Sequence, residues 1–179
     1  MEIVVPDEFK YLYVTSAERP VVKIPHPVLR QKAEDVQEVT NKISKTIDEM
    51  LRVMKMSNGI GLAAPQIGVG KRIIVIAPEG VKPTVLVNPV ITSSEGEIVG
   101  QEGCLSIPGL YGDVQRRLKL VVEAYDRKGR PVEYEMEGLP ARVVQHEVDH
   151  LDGVLFIDKV DVATLHWSHP GGDDDLDIE

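Results

Sequence analysis

The chain carries His146-Glu147-Val148-Asp149-His150 and one cysteine, Cys104. Residues four apart share one face of a helix, so His146 and His150 can grip a single cation. Glu147, beside the first imidazole, is placed to handle the proton of a water on that cation. H-E-x-x-H is a zinc-hydrolase pattern, and a bound metal lowers the pKa of its water enough to supply hydroxide near neutral pH. The chemistry implied is metal-assisted hydrolysis. A solvated amphipathic helix could carry the same letters by accident. The flanks argue against that, because Val143, Val144, Leu151 and Leu155 are apolar at near-helical spacing and predict a buried helix. Two imidazoles and a carboxylate are costly to bury without a partner, and a metal supplies one.

A catalytic site with one open position needs a third protein ligand. Downstream of the motif, His166 and His169 sit beside Trp167 and Pro170 near the end of the chain, and are weak candidates. Asp152 and Asp158 read as surface carboxylates or as groups that support a ligand. Cys104, in Gln101-Glu102-Gly103-Cys104-Leu105-Ser106-Ile107-Pro108, is the stronger choice. One thiolate and two imidazoles make a soft, tetrahedral-leaning site with a place left for water. The alternatives are a buried structural cysteine or a Cys–His nucleophile. A metal on the two histidines would compete for the same thiolate, which favours the ligand role. Gly59-Ile60-Gly61-Leu62-Ala63-Ala64-Pro65-Gln66 is a narrow stretch whose backbone can approach a strand or a substrate, and the Gln66 amide could donate to a developing oxyanion. The alternative is a loop that packs closely after a helix. No phosphate-cradle spacing is present.

These residues need elements to hold them. Thr40 can cap a helix with Ile43, Ile47, Met50, Leu51 and Met54 at helical spacing, ended by Asn58-Gly59. Arg72–Ile76 and Thr84–Val87 are β-prone, and Asn88-Pro89 is expected to break the second run. Lys119–Tyr125 and Val132–Met136 read as a hairpin about Asp126-Arg127-Lys128-Gly129. Gly138 precedes a helix over Leu139–Leu151. The order predicts an α+β fold with antiparallel sheet packed around a central metal-binding helix. Alternation in Phe9–Val14 allows a short strand. The expected organisation is an N-terminal extension (1–20), a single catalytic domain (21–160) and a C-terminal segment (161–179) with a solvated acidic tail, Asp173–Glu179.

At 179 residues, 42% hydrophobic and 27% charged, the chain suits one globular domain. Its formal net charge of −9 argues against direct nucleic-acid binding. No apolar run approaches a membrane span. The start lacks a basic leader, and Glu2, Asp7 and Glu8 argue against a transit peptide, so a cytoplasmic location is expected. One cysteine cannot form an internal disulfide, which fits a reducing compartment. Oligomeric state is not determined.

Three motifs, Gly59–Gln66 (GIGLAAPQ), Glu102–Ser106 (EGCLS) and Gln145–Leu151 (QHEVDHL), occur in an order and at separations that resemble the peptide deformylase family, over about residues 20–160. The resemblance implies that Cys104, His146 and His150 bind one divalent metal, usually iron(II) with zinc second, and water as fourth ligand. It implies Glu147 as general base and then acid, with Gln66 and the backbone N–H of Leu105 stabilising an oxyanion. The implied substrate is a nascent peptide starting with N-formylmethionine, met in a ribosome-associated context. The peptide is expected to lie extended beside Ile60-Gly61, with Ile60, Val143 and His146 walling a methionine pocket. Glu102 and Gln145 are expected to fix Gln66 or a histidine, and Arg116 to pair with Glu102 or to sit on the surface. The run Gly109-Leu110-Tyr111-Gly112 departs from members with an arginine near the cleft, which leaves contacts beyond the methionine open.

Overall fold

A computed structural model describes residues 1–170. The acidic run Asp173–Glu179 lies outside them.

Helix α1 (Asn41–Met56) begins where Thr40 Oγ1 accepts the Ile43 N–H at 3.3 Å. It ends at Asn58, whose φ of 56° is left-handed. Five strands follow: β1 (Gly61–Ala63), β2 (Ile73–Ile76), β3 (Thr84–Glu102), β4 (Leu110–Tyr125) and β5 (Pro131–Glu137). They pair antiparallel in that order. Helix α2 (Leu139–Leu151) comes next, and a two-residue strand, β6 (His166–Trp167), pairs with the start of β4.

Successive side chains of a strand point to opposite faces, and β2 uses both. Ile74 and Ile76 join Leu86, Leu120 and Val122 against Ala141, Val143, Val144 and Leu151 of α2. Ile73 and Val75 join Leu62 and Val87 against Ile47, Met50, Val53 and Met54 of α1. A strand covered on both faces reads as an unbroken apolar run, which is why Ile73–Ile76 shows no alternation. The α+β class and the antiparallel sheet around α2 are as expected from the sequence.

Two local expectations are corrected. Asn88-Pro89 does not end β3. The register shifts between Val87 and Val90 and the strand continues to Glu102, because the Asn88 side chain accepts the Val36 N–H and donates to the Val36 carbonyl, both at 2.8 Å. That clamp holds the left-handed Asn88 (φ 51°) as a bulge within the strand. The Phe9–Val14 region is not a strand either. Residues Asp7–Tyr13 form a 3-10 helix, in which Phe9 is buried, stacked on His169 at 4.4 Å and against Trp167 at 5.1 Å.

Candidate metal centre

Helix α2 is buried along most of its length, including His146, Glu147 and His150. The segment after β3 brings Cys104 up to it. Ligand atoms of Cys104, His146 and His150 all lie within 4.8 Å of one another, and Cys104 Sγ is 3.4 Å from His150 Nε2. The donor set passes a test internal to the structure. His146 Nε2 and both Glu147 oxygens are buried without a hydrogen-bond partner among the described residues, and buried polar atoms are rarely left so unless something else satisfies them. One thiolate and two imidazoles fit a divalent transition metal.

His146 is aimed by its other nitrogen. Nδ1 lies 2.8 Å from Glu102 Oε2, so Nε2 is the atom left to coordinate. Glu102 is fully buried at the end of β3 and also receives Arg116 through Nε (2.7 Å) and Nη2 (2.9 Å) and Arg142 through Nη1 (2.9 Å). Burial acts to raise the Glu102 carboxyl, but hydrogen bonds from Arg116 and His146 outweigh it and hold the group well below the usual carboxylate range. Arg116 is therefore a buried partner rather than a surface charge, and its Nη1 reaches Asp149 at 2.6 Å.

Burial pushes the Glu147 carboxyl up to about 7, poised for proton exchange near neutrality. Burial also lowers His150, helped by the charge on His146. His146 moves upward: its full burial opposes the charged ring, yet the buried Glu102 carboxylate at its Nδ1 and the nearby Glu147 favour it.

Gln66 is oriented by its own turn. Its Oε1 accepts the Ala63 N–H at 2.9 Å, which turns Nε2 toward Ser106 Oγ (3.3 Å) and Cys104 Sγ (3.8 Å). Leu105 follows Cys104 and lines a cleft of about 520 Å³ with Val21, Lys23, Pro108 and Tyr111.

A family model for polypeptide deformylase matches residues 18–165. The chain belongs to that family. A peptide deformylase of Desulfitobacterium hafniense is 52% identical over 139 residues, covering 78% of this chain and 92% of the relative. One from Thermodesulfovibrio yellowstonii is 48% identical over 144 residues, covering 78% and 87%. Among solved structures, the Synechococcus elongatus peptide deformylase in complex with actinonin superposes with a TM-score of 0.77, at 45% identity and 83% coverage of each chain. Family members are metal-dependent hydrolases, and Cys104, His146 and His150 are the cluster here that could hold the ion.

Other sequence candidates fall elsewhere. Gln145 fixes neither Gln66 nor a histidine. Its amide accepts the Arg117 N–H and donates to the Arg117 and Ala141 carbonyls, each at 2.9 Å, which locks α2 to β4. His169 stacks on Phe9, His166 lies in β6, and Asp152 and Asp158 pair with Arg72 and Arg30. Val143 is fully buried in the core, and Ile60 packs partly buried against that cluster. One residue that bears on the site, Arg142, was not singled out from the sequence, although it could have been suspected as a lone charge on the buried face of α2.

Proposed function

We propose that the chain removes the N-formyl group from formylmethionyl nascent peptides, releasing formate and a free α-amine. The observation that carries this reading is the convergence of Cys104, His146 and His150 beside a buried, partner-free Glu147. A divalent cation bound there would supply a Lewis acid that lowers the pKa of a water molecule. The donor set suits iron(II) or zinc(II), and we assign iron(II) first, as the family resemblance implies.

Glu147 takes a proton from the attacking water and returns it to the leaving nitrogen. As the water oxygen adds to the formyl carbon, the Gln66 Nε2 and the Leu105 N–H donate to the carbonyl oxygen that gains negative charge, and that charge returns to the C=O bond as the C–N bond breaks. Strand β1 stands at the end of the sheet order. The Ala77 N–H donates to the Ile60 carbonyl at 2.8 Å, so antiparallel alternation turns the main-chain groups of Gly61 toward the open edge. An extended peptide can pair there, as β-augmentation requires. Ile60, Gly61 and Val143 are retained as substrate-side residues in this reading, with Ile60 nearer the surface than Val143. Among the described residues no helix is long and apolar enough to cross a membrane. The cytoplasm, where nascent chains leave the ribosome, is the compartment proposed.

The test is formate release from a formyl-Met dipeptide by protein loaded anaerobically with iron(II) or zinc(II). Metal-dependent release, lost in Glu147→Ala with metal still bound, is expected. No release from either fully loaded form would overturn the reading.

A further inference from the structure

The cleft of about 520 Å³ that Cys104 and Leu105 line is also lined by Asn58, just past the end of α1, and by Leu12 and Arg19 of the N-terminal segment. Leu12 lies outside the residues 18–165 that the family model matches, and Arg19 lies at their start. Gly61, whose main chain faces the open sheet edge, follows Asn58 by three residues. The cleft therefore joins the metal ligand Cys104 to the approach to that edge, and the N-terminal segment supplies part of its wall.

That wall is held in place. Phe9 covers Gly109, where a Cβ would lie 2.7 Å from the Phe9 ring, and Gly109 has a φ of +86°. Ser16 and Arg19 exchange both main-chain hydrogen bonds, each at 3.1 Å. The Arg19 guanidinium donates from Nη1 to the Tyr11 carbonyl at 2.7 Å and lies 5.4 Å from the centre of the Tyr11 ring. A guanidinium carries five N–H donors, and Arg19 forms no salt bridge among the described residues. Its neighbour Glu18 lines the same cleft, but its carboxylate accepts the Ser16 hydroxyl at 2.9 Å. Lys23 lines the cleft too, with Nζ on the Val21 carbonyl at 2.7 Å. Two cations against one anion make the cleft locally positive on a chain whose formal net charge is −9.

We propose that this cleft receives the residues that follow formylmethionine, and that Arg19 selects peptides with acidic side chains there while Leu12 supplies apolar contact. The inference rests on the deformylase reading above and deepens it by naming a preferred class of peptide. An exposed ion pair is worth little when two long side chains must be ordered to form it. Arg19 is already ordered by Tyr11, so an incoming carboxylate meets a cation that has lost that freedom.

The experiment compares kcat/KM of full-length, metal-loaded protein for formyl-Met-Glu-Glu-amide and formyl-Met-Lys-Lys-amide. The C-terminal amide leaves side chains as the only source of a carboxylate. Any loss of folded or metal-loaded protein cancels in the ratio of the two values. The wild type should favour the Glu peptide, and the preference should shrink as salt is raised. Arg19→Ala should cut the ratio about 1.5- to 5-fold, the range of an exposed charge pair, and Arg19→Glu should cut it further. Leu12→Ala removes apolar wall and no charge, so it should raise KM for both peptides and leave the ratio in place. A wild type that does not favour the Glu peptide would overturn the proposal. So would a ratio that neither Arg19 substitution lowers, or one that Leu12→Ala lowers as much as Arg19→Ala. If the wild type releases no formate from either peptide or from a formyl-Met dipeptide, the deformylase reading fails and this inference fails with it. An active wild type whose ratio ignores Arg19 overturns the inference alone.

Discussion

Glu102 Oε2 and His146 Nδ1 lie 2.8 Å apart, and this contact decides which imidazole nitrogen faces Cys104 and His150. Because Glu102 also receives Arg116 and Arg142, one carboxylate ties β3, β4 and α2 together at the metal centre. Glu102→Gln would leave the buried Arg142 without its carboxylate and Arg116 with Asp149 as its remaining counter-charge. Loss of one partner of a buried pair costs about 3–5 kcal/mol, and loss of a group that orients a ligand weakens metal binding about 10- to 100-fold. Urea unfolding and chelator competition should register both losses together.

Glu147 gives stability a pH dependence of defined sign. Its carboxyl is raised by burial from 4.5 to about 7 in the folded chain. A raised folded pKa stabilises fully below the unfolded value and is lost as pH rises through the folded one. Metal-free protein should therefore lose up to about 3 kcal/mol between those two limits. Glu147→Gln should flatten the curve of unfolding free energy against pH over that window.

Metal should shift the same group the other way. A dication beside Glu147 favours the carboxylate, so the acid limb of kcat/KM in loaded protein should fall below 7. Only a deprotonated thiolate and neutral imidazoles ligate a metal, so affinity should weaken as pH falls and binding should release protons. Calorimetry in buffers of different ionisation enthalpy measures that release. Cys104→Ser should fail to hold metal at concentrations that saturate the wild type.

Removal of the ion should lower stability without abolishing the fold. At free metal 100 times its dissociation constant, mass action predicts about 2.7 kcal/mol of stabilisation. Melting curves with and without chelator test this, and Cys104→Ser should show no such difference.

Gly153 terminates α2 with a φ of +72°, and a Cβ there would sit 2.6 Å from the Arg30 carbonyl oxygen. The clash is with backbone, which cannot swing aside. Gly153→Ala should cost at least about 2 kcal/mol, read as a lower urea midpoint, with the metal ligands themselves untouched.

What the sequence by itself determined was whatever rests on local geometry. The i, i+4 spacing of His146 and His150 settles their shared face, since a helix advances 3.6 residues per turn. Thr40 settles the start of α1, and Asp126–Gly129 the hairpin between β4 and β5. The three motifs identified the family without any coordinates. The tertiary structure alone decided how the distant parts meet. β3 and β4 must pair before Glu102 meets Arg116, and Gln145 must meet the backbone of β4 before its role as a clamp is visible. Asn88-Pro89 looked like a strand end because local propensity cannot see the Val36 backbone, which satisfies the bulge from 52 residues away. Leu12 reaches the Cys104 cleft for the same kind of reason. Its place is set by Phe9, Gly109 and His169, and contacts between the two ends of a chain leave no periodic trace in the sequence of either.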